Sequence, residues 1–395
     1  MKHKDAREVA MPDVERVSTT RRKFLIGTGV MTTGVIAGLA GGFHNYHWEE
    51  PSAYQAWTQI EKGGLTDLEY IVQCGTLAAN AHNTQPWSFS IQGLRIVLFA
   101  DLNRNIGRAD PRRRLMLMSI GCAAENMVVA AGQLGYAVRI DDAGSATFPV
   151  DGGRCVVLEL SRSSDSGRHP WFPALFRRRT TRAPFAPLPM PYRDFAAQLG
   201  NLSDLPGIQL RWHETNLERA AIIKAVNVSV RGFVEDEGAY HDGMAWFRRS
   251  RSEWEQRRDG ISIFGGDASL LVKEWVDLFA SEDDLLSPAF RQGEVDVAQR
   301  LAETTPLWIM VRADMDTPGA WFRAGRMIER IYLAATAEGY AVQPITYPTE
   351  SSAGLAELTR AFGLESRSVP LMLLRVGRAA IPSPSPRREL ASVLL

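Results

Sequence analysis

The stretch that decides the fold runs over residues 80–89 and reads NAHNTQPWSF. Its two amide side chains, Asn83 and Gln85, can each donate and accept hydrogen bonds, so together they could pair with a ring edge that alternates N–H and C=O groups. Pro86 fixes the backbone and Trp87 offers a large apolar anchor, which would hold both amides in place. The alternative is an Asx-type turn that leads into a strand.

The composition of the 395-residue chain is that of a globular protein, with 45% hydrophobic and 23% charged residues. Its length suggests two or three domain-sized units. The formal net charge of +0 gives no electrostatic reason to expect a nucleic acid partner. The three cysteines, Cys74, Cys122 and Cys155, lack any C-x-x-C spacing. We therefore expect no metal site and no disulfide framework, and interpret these cysteines as small buried hydrophobic residues.

Residues 1–45 are predicted to lie outside the fold. Arg21 and Arg22 precede Phe24 and Leu25, and an uncharged run rich in glycine and threonine covers residues 24–43. This pattern resembles a twin-arginine export signal, because the run is only weakly hydrophobic. We expect export through the twin-arginine translocon to the periplasm or cell envelope. A membrane anchor through residues 24–43 is the alternative, since the run is long enough to span a bilayer.

The remainder of the chain has the pattern of an internal duplication. Residues 130–138 (AAGQLGYAV) and 334–342 (AATAEGYAV) share six of nine positions. Each stretch ends an apolar helix at a glycine suited to a left-handed C′ position and continues as an extended segment. We predict a first half over residues 46–165 and a second over 166–395. The alternative is a chance likeness between two common helix–turn–strand units.

Strand candidates support the same order of elements in both halves. They are residues 94–99, 155–160, 307–311 and 371–376.

Residues 214–286 interrupt the second half. This insertion has helical patterning, followed by a glycine-rich stretch over residues 260–266. We interpret it as a lid over a ligand site, and the alternative is a peripheral helical subdomain.

A second motif reads RRRTTRAPF over residues 177–185. Guanidinium groups bind phosphate through two parallel hydrogen bonds, and a hydroxyl adds a neutral contact. A solvated basic run is the competing interpretation.

A long apolar helix is predicted over residues 115–134. Upstream of it, residues 108–114 are interpreted as a helix entry, with Asp110 as the cap and Pro111 as the first helical residue. The long helix contains Asn126, which is a poor choice inside a helix because its amide competes for backbone hydrogen bonds.

These motifs together resemble those of the nitroreductase family of FMN flavoproteins. Residues 83–87 match the family's N-x-Q-P-W, in which the amides of Asn83 and Gln85 would meet the flavin. The resemblance of residues 178–185 to R-R-S-x-R-x-F implies that four residues bind the phosphate and ribityl part of FMN: Arg178, Arg179, Thr180 and Arg182. Thr180 replaces the family's serine, and Asn80 also departs from a usual serine.

The resemblance adds three further elements to the expected FMN site. Asn126 lies in a match to G-x-A-x-x-N-L, from which it would approach the flavin. The turn of Pro344, Ile345 and Thr346 would lie against the flavin ring. Arg387 and Arg388 would return to the phosphate, unless they are charges of a disordered tail.

The resemblance implies an α+β, three-layer fold built as a pseudo-dimer of central sheets flanked by helices, with one complete FMN site per chain. A monomer is then possible. The implied activity is that of an FMN-dependent oxidoreductase that takes electrons from NAD(P)H and reduces nitroaromatic or quinone-like acceptors by a ping-pong reaction.

Two alternatives to this activity stay open, because NAD(P)H is cytosolic whereas the signal directs the protein outward. One is an exported or membrane-associated protein that binds or sequesters FMN with little turnover. The other is an exported redox partner supplied by membrane electron carriers.

Overall fold

The computed structural model describes residues 52–395 except 144–147, 149–152, 164–168, 188–194, 196, 198–204, 266–272, 274–275, 277–280 and 365–367. The predicted export signal and the apolar run 24–43 lie outside the described residues.

In the part of the chain that the structure describes, eight strands form two four-stranded sheets in which all strand pairings are antiparallel. The strands are β1 (Trp87–Gln92), β2 (Arg95–Ala100), β3 (Tyr136–Asp141), β4 (Arg154–Arg162), β5 (Ile208–His213), β6 (Leu307–Ala313), β7 (Ala341–Ile345) and β8 (Val369–Gly377). The first sheet has the order β1-β2-β4-β3 and the second has the order β5-β6-β8-β7. Since helices pack on these sheets, the predicted α+β class is confirmed.

The described helices connect and cover the sheets. They are α1 (Gln55–Thr58), α2 (Asp67–Thr76), α3 (Arg114–Gln133), α4 (Phe172–Arg177), α5 (Asn216–Glu235), α6 (Glu237–Met244), α7 (Arg251–Arg257), α8 (Glu282–Leu286), α9 (Pro288–Glu303), α10 (Pro318–Ala337), α11 (Tyr347–Glu350) and α12 (Ser352–Phe362).

Strand β6 is buried on both faces because its neighbouring side chains point to opposite sides of the sheet. Leu307, Ile309 and Val311 face the main core. Trp308 and Met310 face a second core, where α5, α9 and α12 cover the sheet. The second sheet is therefore enclosed by helices on both sides.

Helices α3 and α10 cross at two glycines in the centre of the protein. A Cβ atom on Gly121 would overlap the carbonyl oxygen of Phe322, and one on Gly325 would overlap the carbonyl oxygen of Met118. The thiol of Cys122 also donates to the carbonyl of Gly325 at 3.1 Å. Only glycine lets the two backbones approach this closely. Although α3 is long and apolar enough to cross a membrane, 89% of its most apolar window is buried, as expected of a core helix.

The strand order supports the proposed duplication without testing the domain boundaries. The two sheets have the same strand order. Each also has a register shift in the pairing of equivalent strands, β2 with β4 in the first sheet and β6 with β8 in the second. Gly121 and Gly325 are separated by the same 204 positions as the repeated stretches 130–138 and 334–342. The duplication itself stays a proposal.

Several local predictions are confirmed. Gly135 and Gly339 have φ values of 76° and 74°, so both helices end at left-handed glycines. The predicted strands and the long helix are each observed within two residues of their predicted bounds. All three cysteines are buried and free.

The predicted helix entry with Pro111 as its first helical residue is wrong. Helix α3 begins at Arg114, after Arg113 turns into the left-handed region with φ 55°. Asp110 still caps the helix, because its carboxylate accepts from the backbone N–H groups of Arg114 and Met116 at 2.8 and 3.1 Å.

The predicted insertion lies between β5 and β6. The corresponding strands of the first sheet, β1 and β2, are joined by residues 93–94 alone, whereas residues 214–306 join β5 to β6. This long connection contains α5, α6 and α9, which contribute to the second core together with α12.

We predict that Gly121→Ala destabilises the protein. The new methyl group would meet the backbone of α10, which must shift, so the free energy of unfolding should fall by about 1–3 kcal/mol. Urea unfolding followed by circular dichroism measures this change.

The matched control is Gly132→Ala on the same helix, where the nearest atom to the new Cβ is a side-chain carbon of His169 at 3.4 Å. This variant should be as stable as the wild type or slightly more stable, because alanine favours a helix. Equal stability of Gly121→Ala and the wild type would contradict the close crossing.

Candidate functional site

A cavity of about 560 Å³ lies between the two helices at the centre and the insertion. Its walls come from residues 79–82, from α3, from α5 and α6 of the insertion, and from residues 343–347. The turn predicted to face a ring, Pro344 to Thr346, lines this cavity.

A narrow cleft of about 50 Å³ adjoins the cavity, since Asn80, Thr180 and Arg182 line both. Four arginines of the predicted phosphate site contribute to the cleft: Arg178, Arg179, Arg182 and Arg387. None of the described residues that line the cleft is acidic. A cleft with this lining favours an anion.

The charge of these arginines is only partly compensated inside the protein. Arg178 is 2% exposed, donates to the carbonyl of Leu77 at 2.8 Å and pairs with Glu329 at 3.3 Å. Its Nη1 atom is buried and has no hydrogen-bond partner among the described residues. Burial and the charges of Arg178 and Arg179 hold the pKa of Arg387 well below its usual range. A bound anion would relieve both the missing hydrogen bond and the repulsion.

Arg182 faces the point where cleft and cavity meet. Its side chain keeps accessible surface although it lies deep in the protein, because that surface faces the cavity. Burial lowers its pKa. Within the described ranges, no acidic side chain forms an ion pair with Arg182. Its guanidinium group is therefore available to a ligand.

Arg387 is committed mainly to the protein backbone. Its guanidinium donates to the carbonyl of Thr76 at 2.9 Å and to those of Leu77 and Ala78 at 3.3 and 3.4 Å, which closes the C-terminal end of α2. Arg388 lines neither the cleft nor the cavity, and donates instead to carbonyls that include those of Gln85 and Trp87. Of this predicted basic pair, only Arg387 reaches the cleft.

The two motif amides lie away from the larger cavity. Asn83 lines the cleft, but its Nδ2 donates to the carbonyl of Pro386 at 3.1 Å and its Oδ1 accepts from Arg387 at 2.7 Å. Gln85 is fully buried; its Nε2 donates to the carbonyl of Arg258 at 2.6 Å and its Oε1 accepts from the N–H of Arg388 at 2.8 Å. The ring-edge pairing predicted for these amides is not supported here, because they join the motif to the insertion and the C-terminal segment.

Asn126 also lies away from the cavity. It is completely buried and donates to the carbonyl of Cys74 at 3.3 Å, so it links α3 to α2. Thr180 does line the site, with its hydroxyl 2.8 Å from that of Tyr332.

A loop of the insertion closes one side of the cleft. Gly260, Ile261 and Ser262 line it, and Asp259 anchors this loop. The Asp259 carboxylate pairs with Arg104 at 2.5 Å and with Arg248 at 2.8 Å. The loop is thus held by buried ion pairs as well as by the Gln85 amide.

Sequence reasoning missed three groups of the site. Trp57 lines the cleft and has no local motif to mark it. Tyr347 and Glu294 line the cavity, where the tyrosine donates to the carboxylate at 2.6 Å and burial raises the pKa of Glu294. These two belong to distant segments. His82 lies within the stretch 80–89, and its position between Asn80 and Asn83 was the one sequence feature that could have indicated a place in the site.

His82 lies in a strained part of the backbone. His82, Asn83 and Gln85 have φ values of 46°, 53° and 48°, a left-handed conformation that non-glycine residues rarely adopt. The ring lines the cavity, and its Nδ1 is buried without a hydrogen-bond partner among the described residues. Burial, followed by the nearby charge of Arg182, lowers the pKa of His82 to about 4. His82 is thus neutral at pH 7.

The fold and the site define an α+β protein in which an arginine-lined cleft opens into an internal cavity. Residues 267–378 match the sequence model of the Nitroreductase family. The protein named "Putative NAD(P)H nitroreductase Rv3131" of Mycobacterium tuberculosis is 30% identical over 346 residues, which cover 83% of this chain and 92% of the relative. The chain therefore belongs to the nitroreductase family.

Two further proteins show the range of similarity. "Uncharacterized protein Rv3127" of M. tuberculosis is 25% identical over 83% of this chain and 92% of its own length. Among solved structures, the FMN and NADPH-dependent nitroreductase NfnB of Sphigopyxis sp. strain HMH is 21% identical, covering 56% of this chain and 95% of that chain with a TM-score of 0.39. A likeness of that size supports no statement about this site.

We predict that His82 makes the folded protein less stable in acid. Its folded pKa lies below the usual value of about 6.5, so the unfolded chain takes up a proton first and stability is lost as the pH falls toward 4. Between pH 7 and 5 the wild type should lose about 1–2 kcal/mol more than His82→Asn, whose asparagine tolerates positive φ.

Urea unfolding at both pH values, followed by tryptophan fluorescence, measures this difference. An equal loss in the two proteins would show that His82 is not shielded from protonation.

Proposed function

We propose that the protein is an FMN-dependent oxidoreductase of the nitroreductase type. One observation carries the proposal: a cleft lined by four arginines and no described acid joins a cavity of about 560 Å³. The first part suits a phosphate, and the second suits an uncharged ring system. Family membership supports the same ligand.

The residues present fit FMN at the phosphate end. Nη1 of Arg178 has no hydrogen-bond partner among the described residues, Arg182 pairs with no described acid, and Thr180 adds a hydroxyl at the junction. The turn from Pro344 to Thr346 would lie beside the ring. We keep the ring-edge role of Asn83 and Gln85 out of this proposal, because their amides are bonded within the protein. The predicted approach of Asn126 is also left out, because Asn126 lines neither the cleft nor the cavity.

The chemistry supplied by a bound flavin is hydride or electron transfer, and the protein's part is binding, orientation and electrostatics. Arg182 places a positive charge at the cavity, which favours a negatively charged ligand group there. The nearby His82 is neutral and adds no charge. The insertion separates the cavity from bulk water on one side.

We propose a nicotinamide as electron donor and a nitroaromatic or quinone-like compound as acceptor. The support is the naming of relatives as NAD(P)H nitroreductases. Both partners would need to reach the cavity past the insertion.

A second candidate function is retention of FMN with little turnover. The anchoring of the insertion favours it, because Asp259 makes buried ion pairs with two arginines beside the cleft. In this proposal the insertion is a lid that slows ligand release. The twin-arginine signal would then carry the FMN-loaded protein out of the cytosol and away from the cytosolic NAD(P)H.

An absorption spectrum of the purified protein, followed by anaerobic addition of NADPH and then dithionite, tests the proposal. We expect a flavin absorption band at about 450 nm. Bleaching by NADPH within seconds supports the oxidoreductase, whereas bleaching by dithionite alone supports retention or another donor. Failure to bind added FMN would overturn the flavoprotein assignment.

We predict that Arg182→Gln weakens FMN binding by about 10- to 100-fold, the loss expected for one charge-assisted hydrogen bond. Its stability without flavin should be unchanged or slightly higher, because Arg182 has no acidic partner among the described residues and lies near other arginines of the cleft. Titration of flavin fluorescence measures the affinity, and urea unfolding measures the stability.

Arg182→Lys is the matched variant, since it keeps the charge and loses the planar fork. It should bind FMN with intermediate affinity. Wild-type affinity in Arg182→Gln would remove Arg182 from the site.

A further inference from the structure

The segment over residues 52–58, which we call the N-terminal clasp, packs across the arginine cleft. It consists of a 3₁₀ turn (Ser52–Tyr54) and α1 (Gln55–Thr58). Its Trp57 lines the cleft and is 4% exposed. The clasp is far in sequence from the residues that it contacts.

Three guanidinium groups surround the ring of Trp57. Arg179, Arg387 and Arg178 lie 4.1, 4.7 and 5.6 Å from the ring centroid. The face of an indole ring attracts cations, so Trp57 offsets part of the repulsion between these like charges. The indole Nε1 also donates to the carbonyl of Ser385 at 2.8 Å, which fixes the ring in place.

The clasp is held at its other end by two separate parts of the chain. The carbonyl of Ala53 accepts from the backbone N–H of Arg387 at 2.9 Å. Arg258 of the insertion donates to the hydroxyl of Ser52 at 2.6 Å, and Tyr54 donates to Glu255 at 3.2 Å. The clasp therefore connects the cleft, the C-terminal segment and the insertion.

We infer that docking of the clasp and binding of a phosphate-bearing ligand are coupled, with Trp57 as the positioning residue. When the clasp is docked, Trp57 holds Arg179 and Arg387 around the cleft. When an anion is bound, it reduces the repulsion among the arginines and stabilises the arrangement that the clasp recognises. Coupling of this kind is reciprocal, so each event strengthens the other. The inference rests on the proposed function in taking FMN as the ligand.

A merely structural tryptophan would behave differently toward two related ligands. FMN and riboflavin share the ring and differ by the phosphate. If Trp57 positions the phosphate site, its loss weakens FMN and leaves riboflavin affinity unchanged. If Trp57 only fills space, its loss affects both ligands equally or neither.

The test compares the full-length wild type with Trp57→Ala and Trp57→Phe, using flavin fluorescence to measure the dissociation constants of FMN and riboflavin. Trp57→Ala should weaken FMN by about ten-fold or more, whereas Trp57→Phe, which keeps an aromatic face, should lose about three-fold or less. Trp212→Ala is the control, because Trp212 is a partly buried tryptophan on β5 that lines neither the cleft nor the cavity. It should bind both ligands like the wild type.

Limited chymotrypsin digestion of the wild type gives an independent result that needs no variant. Cleavage after Tyr54 and Trp57 should slow in the presence of FMN and, at higher concentration, of inorganic phosphate. Riboflavin should protect less.

The results that would overturn this inference differ from the result that would overturn the proposed function. Equal FMN affinity of Trp57→Ala and the wild type, or equal losses for FMN and riboflavin, overturns the clasp. Digestion that neither FMN nor phosphate slows also overturns it. Absence of flavin binding in the wild type overturns the proposed function alone, and protection by phosphate then still decides whether the clasp responds to an anion.

Discussion

Four like-charged guanidinium groups converge on one small cleft, and the surrounding segments are arranged to compensate their charge. Glu329 pairs with Arg178, carbonyls at the end of α2 accept from Arg387, and Trp57 offers its ring face to three of the four. Burying several cations is costly unless each finds partners of this kind. The remaining donors at Arg178 and Arg182 give the cleft its preference for an anion.

The buried acids on α3 and α10 lie at equivalent positions of the proposed duplication but have different partners. Glu125 and Glu329 occupy positions 204 residues apart, the same spacing as the crossing glycines. Glu329 pairs with Arg178 beside the cleft, whereas Glu125 pairs with Arg326 and Arg330 of α10 at 2.8 and 2.7 Å. Equivalent carboxylates thus serve a ligand cleft in one place and helix packing in the other. The asymmetry comes from the arginine run 177–182, which has no counterpart in the first half.

The sequence predicts the elements of this fold better than the contacts of its site. Strands such as β6 and β8 are continuous apolar runs, and the glycines at 135 and 339 mark helix ends, so local signals suffice. The family resemblance predicts a phosphate site at Arg178, Arg179 and Arg182, whereas their charge alone also fits a solvated basic run, and all three line the cleft. The sequence predicts a ligand contact for Gln85 and does not reveal its partners within the protein, because the backbone groups of Arg258 and Arg388 are 173 and 303 residues away. Trp57 was missed for the same reason.

The anchoring of the insertion bears on both proposed functions. Its second core, which includes Ile222 and Val226 of α5, packs against β6, so the helical part is anchored to the fold. The loop at 258–262 is held by the ion pairs of Asp259, by the amide of Gln85 and by the N–H bond from Gly260 to the carbonyl of Asn83 at 3.2 Å. Ile261 adds two backbone hydrogen bonds, to the carbonyl of Trp246 at 2.9 Å and from the N–H of Arg248 at 2.8 Å. Opening of this loop would break buried ion pairs and leave Arg248 without its acidic partner. In the retention proposal, this cost would slow the release of FMN past the loop. The oxidoreductase proposal instead requires that both substrates reach the cavity while these ion pairs stay intact. The anchoring of the loop therefore favours the retention proposal over one in which the loop opens in every turnover.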